Sequence, residues 1–387
     1  MESVDILKMA VRGEDGHHQF RADVTNEDAL AADMVAFSNS EGGKILIGVN
    51  VDGTLSALSQ EDTRRLNQLV SNAASQSVRP PISPRTETVS VLGGLVLVVH
   101  VAEGMRKPYL DNEGSIWIKS SSDKRKVTSG DEIQTMYQAS GVLHGDELPA
   151  HGLTIADLDT EYFKVFFERT FGKSVENHEI PLPGLLQNMN LMKGDVLNRS
   201  GALLFAKNPN VALPHCLVNV VVYSRSEIDA ETCVDSRDFL GKLADIFFKS
   251  MGFVLGHLGP QKTTSGSTAP GDRKVPQVVL EELIANALLH RDYFVPAPIR
   301  ISIFGDRVDI VSPGHLPHNL TVENIQRGNA YIRNPILASF ATKLLPYRGL
   351  ENGIVRALKA YPHIEFKDGR EGNEFKATIR LPPVDNL

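Results

Sequence analysis

Residues 281–293, Glu-Glu-Leu-Ile-Ala-Asn-Ala-Leu-Leu-His-Arg-Asp-Tyr, constrain the fold more than any other stretch. Leu280, Leu283, Ile284, Ala287 and Leu288 recur at helical spacing, which predicts a helix with one face in a core. Glu282, Asn286 and His290 follow one another at intervals of four, so a helix stacks them on one face. A carboxylate and an amide one turn apart can orient a water and hold a metal-bound phosphate, because both present oxygen to a hard cation. The same spacing also describes a plain solvated helix face, and spacing alone does not choose between the two. Downstream, Ile299, Ile301 and Ile303 alternate, Gly305-Asp306 turns the chain, and Val308 and Ile310 resume the alternation. This is a hairpin with one buried face, ending in a sharp turn at Ser312-Pro313-Gly314.

The chain has 387 residues, enough for two or three domains with cores of their own. Its 40 basic residues against 47 acidic ones leave a net charge of −7. That argues against a protein that coats nucleic acid, since phosphate neutralisation supplies most of such affinity. Any nucleic-acid contact has to come from a local patch. Cys216 and Cys233 are too few for a disulfide framework and lack metal-ligand spacing, so both are expected to be reduced thiols. The sequence shows no apolar run suited to a signal peptide or a membrane span, so a cytoplasmic location without membrane contact is expected.

Residues 1–140 read as one α/β unit. Helices over 4–11 and 27–39 precede the turn Asn39-Ser40-Glu41-Gly42-Gly43, and a compact strand over 44–49 turns back at Asp52-Gly53. A helix over 61–74 and strands over 95–101 and 115–119 complete the unit. Lys119, Lys124, Arg125 and Lys126 lie close together, with Ser120 and Ser121 among them. Hydroxyls and amides beside cationic side chains can hold phosphate. The segment is equally a solvated turn before a helix capped at Ser129, with Glu132 completing a capping box.

Three stretches of this unit resemble the Schlafen-type AlbA domain: residues 36–43, Ile47-Gly48-Val49 with Asp52-Gly53, and Ile116-Trp117-Ile118-Lys119-Ser120. The resemblance implies a nucleic-acid-binding fold, with Lys119, Ser120, Ser121, Lys124, Arg125 and Lys126 as the contact residues. Some relatives are thought to hold metal for RNA cleavage through two acids near the start. Glu14 matches the first acid, but Gln19 stands at the second and Arg21 replaces a lysine. Two-metal cleavage needs clustered carboxylates, so nuclease activity is not expected.

Residues 141–207 read as a linker and a small helical segment of winged-helix character, with an amphipathic helix over 157–171. Lys193 and Arg199 are isolated, which leaves no basic recognition helix for DNA. A β-branched strand over 217–223, a long amphipathic helix over 237–255 and an exposed loop over 261–274 follow. There are no internal repeats.

Helix, hairpin, glycine turn and the later Arg348-Gly349-Leu350-Glu351-Asn352-Gly353-Ile354 resemble the GHKL ATPase fold. Residues 286–293 look like the signature of a divergent branch that includes bacterial transcriptional regulators and helicase-related ATP-binding proteins. The expected fold class is therefore α+β / α/β: an AlbA-like α/β domain in 1–140, the helical segment in 141–207 and a GHKL-like α/β sandwich in 208–387. The resemblance implies ATP and magnesium as cofactors, with Glu282 polarising the attacking water and Asn286 holding the magnesium that bridges the phosphates. It implies Ser312, Gly314, Arg333, Gly349, Asn352 and Gly353 around the nucleotide. Two positions depart from the pattern. Val311-Ser312 stand where an aspartate usually takes the adenine amino group, with Asp309 too far back to replace it, and Glu351 stands where relatives have glycine. His290 and Arg291 are expected to fix the helix end against the hairpin. No Gly-x-x-x-x-Gly-Lys-Ser/Thr loop occurs, so no helicase motor is expected. Three functions stay open: a nucleic-acid-binding regulator switched by ATP and magnesium, an assembly module with a degenerate pocket, and an ATPase acting on nucleic acid. A homo-oligomer joined through a sheet edge or a helix is expected of such a regulator.

Overall fold

The computed structural model describes residues 1–225, 227, 230–259, 275–317, 320–346 and 353–382. The loop expected over 261–274 lies outside the described residues. The chain divides into two compact units, Met1–Leu143 and His144–Leu387.

The first unit opens with α1 (Ser3–Arg12), β1 (His18–Arg21), α2 (Glu27–Asn39), β2 (Gly43–Ile47) and α3 (Gln60–Asn72). Two further strands, β3 (Arg85–Val91) and β4 (Gly94–Val101), complete a sheet ordered β1-β2-β4-β3. β1 and β2 run parallel, and the other pairs are antiparallel. Successive strand residues point to opposite faces. Ile45, Ile47, Leu97 and Val99 therefore join α2 and α3 in one core, while Leu46, Val96 and Val98 join Ile6 and Ala10 of α1 in another. Burial on both faces explains the unbroken apolar run in β2 and β4.

A hairpin of β5 (Trp117–Ser120) and β6 (Asp123–Lys126) leads to α4 (Gly130–Ala139). What holds the hairpin is the turn after α2. Buried Asn39 donates to the Tyr109 and Trp117 carbonyls, both at 2.9 Å, and accepts from the Tyr109 amide at 2.7 Å. Ser40 Oγ accepts from the Lys119 amide at 2.9 Å. The most specific part of the AlbA resemblance is thus a clamp of hydrogen bonds from the Asn39 and Ser40 side chains to the backbone.

The second unit begins with β7 (Pro149–Thr154), α5 (Thr160–Phe171), α6 (Leu182–Asn188), β8 (Met192–Lys193), β9 (Val196–Asn198) and α7 (Arg199–Phe205). β7, β9 and β8 form a three-stranded sheet. Residues 144–207 share one continuous core with the rest of this unit, running from Ala150 to Ile379. Aromatic packing makes the joint: Phe205 lies 5.0 Å from Phe166 and 5.8 Å from Phe340, ring centroid to centroid. Burying each such ring contributes about 1.5–3 kcal/mol.

The remaining elements are β10 (Val218–Tyr223), β11 (Cys233–Phe239), α8 (Leu243–Leu258), α9 (Gln277–His290), β12 (Ile299–Ile303), β13 (Arg307–Pro313), α10 (Val322–Gln326), α11 (Pro335–Leu344), α12 (Gly353–Ala360), β14 (Ile364–Gly369) and β15 (Glu374–Arg380). The sheet order is β11-β10-β12-β13-β15-β14, with β10 and β12 parallel and all other neighbours antiparallel. Val218, Val220, Ile299, Ile301, Val308 and Ile310 face the core shared with α8 and α9. The opposite face carries a polar ladder, with Arg300 paired to Glu374 at 2.7 Å and Lys376 to Asp309 at 2.7 Å. This is the α/β sandwich expected for the C-terminal part. One element differs from expectation. The helix expected from residue 237 starts at Leu243, residues 233–239 form a strand, and Gly241 at φ 112° breaks the run between them.

Candidate nucleotide cleft and candidate nucleic-acid surface

α9 is the spine of the second unit. Its residues Val279, Leu280, Leu283, Ile284, Ala287, Leu288 and Leu289 are all buried, so one stripe meets the sheet and another meets the neighbouring helices. The helix ends at His290 because Arg291 is extended. Beside it lies a cleft of about 110 Å³. Asn286 and His290 of α9, Ser312 of β13, Gly314, Arg333 and Gly353 all line it. Its floor is apolar, with Ile310, Ala377 and the stacked pair Phe366 and Phe375, whose centroids are 5.9 Å apart. Five of the expected site residues, Asn286, Ser312, Gly314, Arg333 and Gly353, thus share one cleft. Gly349 and Asn352 lie outside the described residues, as does Glu351.

The polar groups divide sharply in what they can offer. Asn286 Nδ2 donates to the Glu282 carbonyl at 2.8 Å. Only the amino end of the amide can face that carbonyl, so Oδ1 is the end left for another partner. Glu282 is different. It is 1% exposed, does not line the cleft, and is ion-paired with Arg356 of α12. Its Oε2 has no hydrogen-bond partner and sits against Gly353, where a Cβ would come within 2.5 Å of it. The carboxylate therefore lies at the first turn of α12, where the positive end of the helix favours a negative charge. A base must reach the water it activates. In this arrangement the Glu282 carboxylate is paired with Arg356 and does not line the cleft.

Arg333 and Asn334 close the far end of α9. Arg333 Nη1 donates to the His290 carbonyl at 3.1 Å and Nη2 to the His315 carbonyl at 2.5 Å. Asn334 Nδ2 donates to the Leu289 and Arg291 carbonyls at 2.8 and 2.9 Å. The last carbonyls of a helix have no partner within it, and here two side chains supply one. Gly314, at φ +96°, leaves room for this, since a Cβ there would come within 2.3 Å of Arg333 Nη1. Among the described residues Arg333 forms no ion pair. Burial lowers its pKa, against the pull of Asp292. Burial, followed by the charge of Arg333, pushes His290 down to about 4, so the imidazole is neutral at pH 7. His290 is thus a cleft residue as well as a helix end, whereas Arg291, buried and donating to the Val295 and Ala297 carbonyls, is structural as expected. Ser312 Oγ donates to the Ala287 carbonyl at 3.1 Å. Asp309 belongs to the opposite face, held by Lys376 and Thr378, both at 2.7 Å. It cannot replace the missing adenine-binding carboxylate.

Sequence reasoning missed Arg356 and the Phe366–Phe375 pair. Arg356 had a faint signal, standing one turn after Gly353 on the same short helix. Among the described residues no cluster of three or more His, Cys, Asp or Glu is placed to hold a metal ion. No helix among them is long and apolar enough to cross a membrane.

In the first unit, three of the six expected contact residues are already engaged. Lys119 Nζ donates to Gln19 Oε1 at 2.8 Å and lies over the Phe37 ring, and burial lowers its pKa. Gln19 in turn donates to Glu14. Lys124 pairs with buried Asp33 at 2.8 Å, and Arg21 takes the other oxygen of that carboxylate at 2.8 Å. Arg125 pairs with Glu132 at 2.5 Å. Ser120, Ser121 and Lys126 are exposed at the rim of the hairpin.

A six-stranded sheet backed by helices, with a cleft between one buried helix and a glycine turn, defines an ATPase-like unit of the GHKL type, preceded by an AlbA-type unit. Comparison with known families agrees. Residues 14–128 match the family described as "Schlafen, AlbA_2", and residues 297–379 match "Putative ATP-dependent DNA helicase recG C-terminal". Among solved structures, the chain is similar to the DIP2311 protein from Corynebacterium diphtheriae. That match has 17% identity and a TM-score of 0.47, covering 98% of this chain and 68% of that one. It is also similar to the N-terminal domain of a RecG-related protein from Nitrosomonas europaea. Here identity is 19% and the TM-score 0.24, covering 34% of this chain and 96% of that one. No curated protein matches significantly.

Proposed function

We propose that the chain is a cytoplasmic transcriptional regulator whose C-terminal cleft binds ATP with magnesium as a switch and whose N-terminal unit contacts nucleic acid, DNA foremost. One observation supports binding without turnover: Asn286, Arg333 and Gly353 converge on the cleft while Arg356 holds Glu282 out of it. The residues present fit a nucleotide in part. The Phe366–Phe375 floor suits a planar base, Asn286 Oδ1 suits a hard cation, and Arg333 supplies positive charge at the wall. Bound magnesium would neutralise phosphate charge and fix its orientation. On the nucleic-acid side, Lys126, Ser120 and Ser121 have the exposure that phosphate contact needs.

The test is titration calorimetry of the full chain with ATP and magnesium, beside Asn286→Ala. Saturable heat that disappears in the variant, with no phosphate release by wild type, is the expected result. Absence of heat from folded wild type would overturn the switch. The Glu282–Arg356 pair would then favour the second reading, an assembly module built on a degenerate pocket. Steady phosphate release would favour the ATPase acting on nucleic acid.

A further inference from the structure

Among the described residues β11 is the outermost strand of the six-stranded sheet and pairs on one side only, with β10. Residues 233–238 are all exposed, Val234 to 67%. A bare edge of this length invites a second strand, and charged side chains are the usual guard against it. In β11 the charges exclude some partners and admit one.

Asp235, Arg237 and Phe239 share the face that carries α8. Arg237 lies over the Phe253 ring at 5.7 Å, and Asp235 lies 3.2 Å from His257 Nε2. For two copies to continue one sheet with their helices on the same side, opposed residues must share a face, so a two-fold axis passes through a single residue. An axis at Asp235 sets two aspartates opposite each other, and an axis at Arg237 sets two arginines opposite each other. Both are repulsive. An axis at Ser236 sets Asp235 opposite Arg237 of the second copy, and by symmetry does so twice, with the small Ser236 facing itself. On the other face Val234 then meets Asp238, whose carboxylate already accepts from Asn219 at 2.7 Å.

We infer that β11 pairs antiparallel with β11 of a second copy about Ser236, joining the six strands of each copy into one sheet. The edge is the partner surface, and a second copy of this chain is the partner.

Sedimentation velocity of the full chain over a concentration series tests this. Wild type forms a concentration-dependent dimer. Arg237→Asp opposes like charges twice and weakens dimerisation by about tenfold or more. The double variant Asp235→Arg/Arg237→Asp restores opposite charges and recovers the dimer, which separates register from any loss of folding. In a Cys233→Ser background, Ser236→Cys cross-links on oxidation whereas Leu240→Cys does not. A monomeric wild type, a dimer indifferent to Arg237→Asp, or a folded double variant that stays as weak as the single one would each overturn the inference.

Discussion

Asp146 carries a stability consequence large enough to measure. It is fully buried, and its Oδ2 accepts from the Ile336 and Leu337 amides at 2.9 and 3.0 Å, capping α11. Its Oδ1 has no partner. Burial pushes its pKa up to about 6 from 3.8, against the pull of the α11 amides. That difference corresponds to about 3 kcal/mol. The folded pKa is the higher one, so this contribution is full below pH 3.8 and is lost as the pH climbs through 6. Asp146→Asn keeps an oxygen for both amides, puts an amino group at the orphaned position and does not titrate. Relative to this variant, wild type should lose about 2 kcal/mol of stability in its C-terminal unit between pH 4 and pH 7. The assay is urea unfolding by far-UV circular dichroism across that range. The sole tryptophan, Trp117, lies in the first unit. The transition that its fluorescence does not follow therefore belongs to the second unit. Parallel pH profiles for the two proteins in that transition would refute the reasoning.

Asn39→Ala removes three hydrogen bonds, two of them buried, and should lower the stability of the first unit by about 2–3 kcal/mol, read from the midpoint of the Trp117 transition. Gly353→Ala sets a Cβ 2.5 Å from Glu282 Oε2 and should cost about 1–3 kcal/mol in the second unit while Trp117 unfolding stays unchanged. If the hairpin contacts phosphate, Lys126→Ala should weaken binding of a DNA oligonucleotide and reduce the salt slope by about one, measured by anisotropy at several ionic strengths. Lys124→Ala should instead leave buried Asp33 with one cation fewer, and appear first as lost stability in thermal melts.

The parts of the fold legible in the sequence are those written in local periodicity. α9 shows as apolar residues at intervals of three and four, and β12 with β13 as alternation across Gly305-Asp306. The cleft was legible as a set of residues, since Asn286, Ser312, Gly314, Arg333 and Gly353 do meet there. Their partners were not. Glu282 is held by a residue 74 positions away, and Lys124 by one 91 positions back. No local pattern encodes such pairings. β11 was misread because Phe239, Leu243, Ile246 and Phe247 continue a helical spacing straight through Gly241.

The parallel pairing of β10 with β12 also bears on how quickly the protein assembles. Tyr223 and Ile299 are separated by the whole of β11, α8 and α9, so the centre of the larger sheet cannot zip up until those elements have been laid down. Closing so long a loop before any contact rewards it slows folding. In the smaller unit the parallel pair is bridged by α2 alone. On dilution from denaturant, Trp117 should regain its native emission well before the circular dichroism signal is complete. A chain in that interval would hold a finished AlbA-type unit beside an ATPase-like unit whose central strands still lack their neighbours.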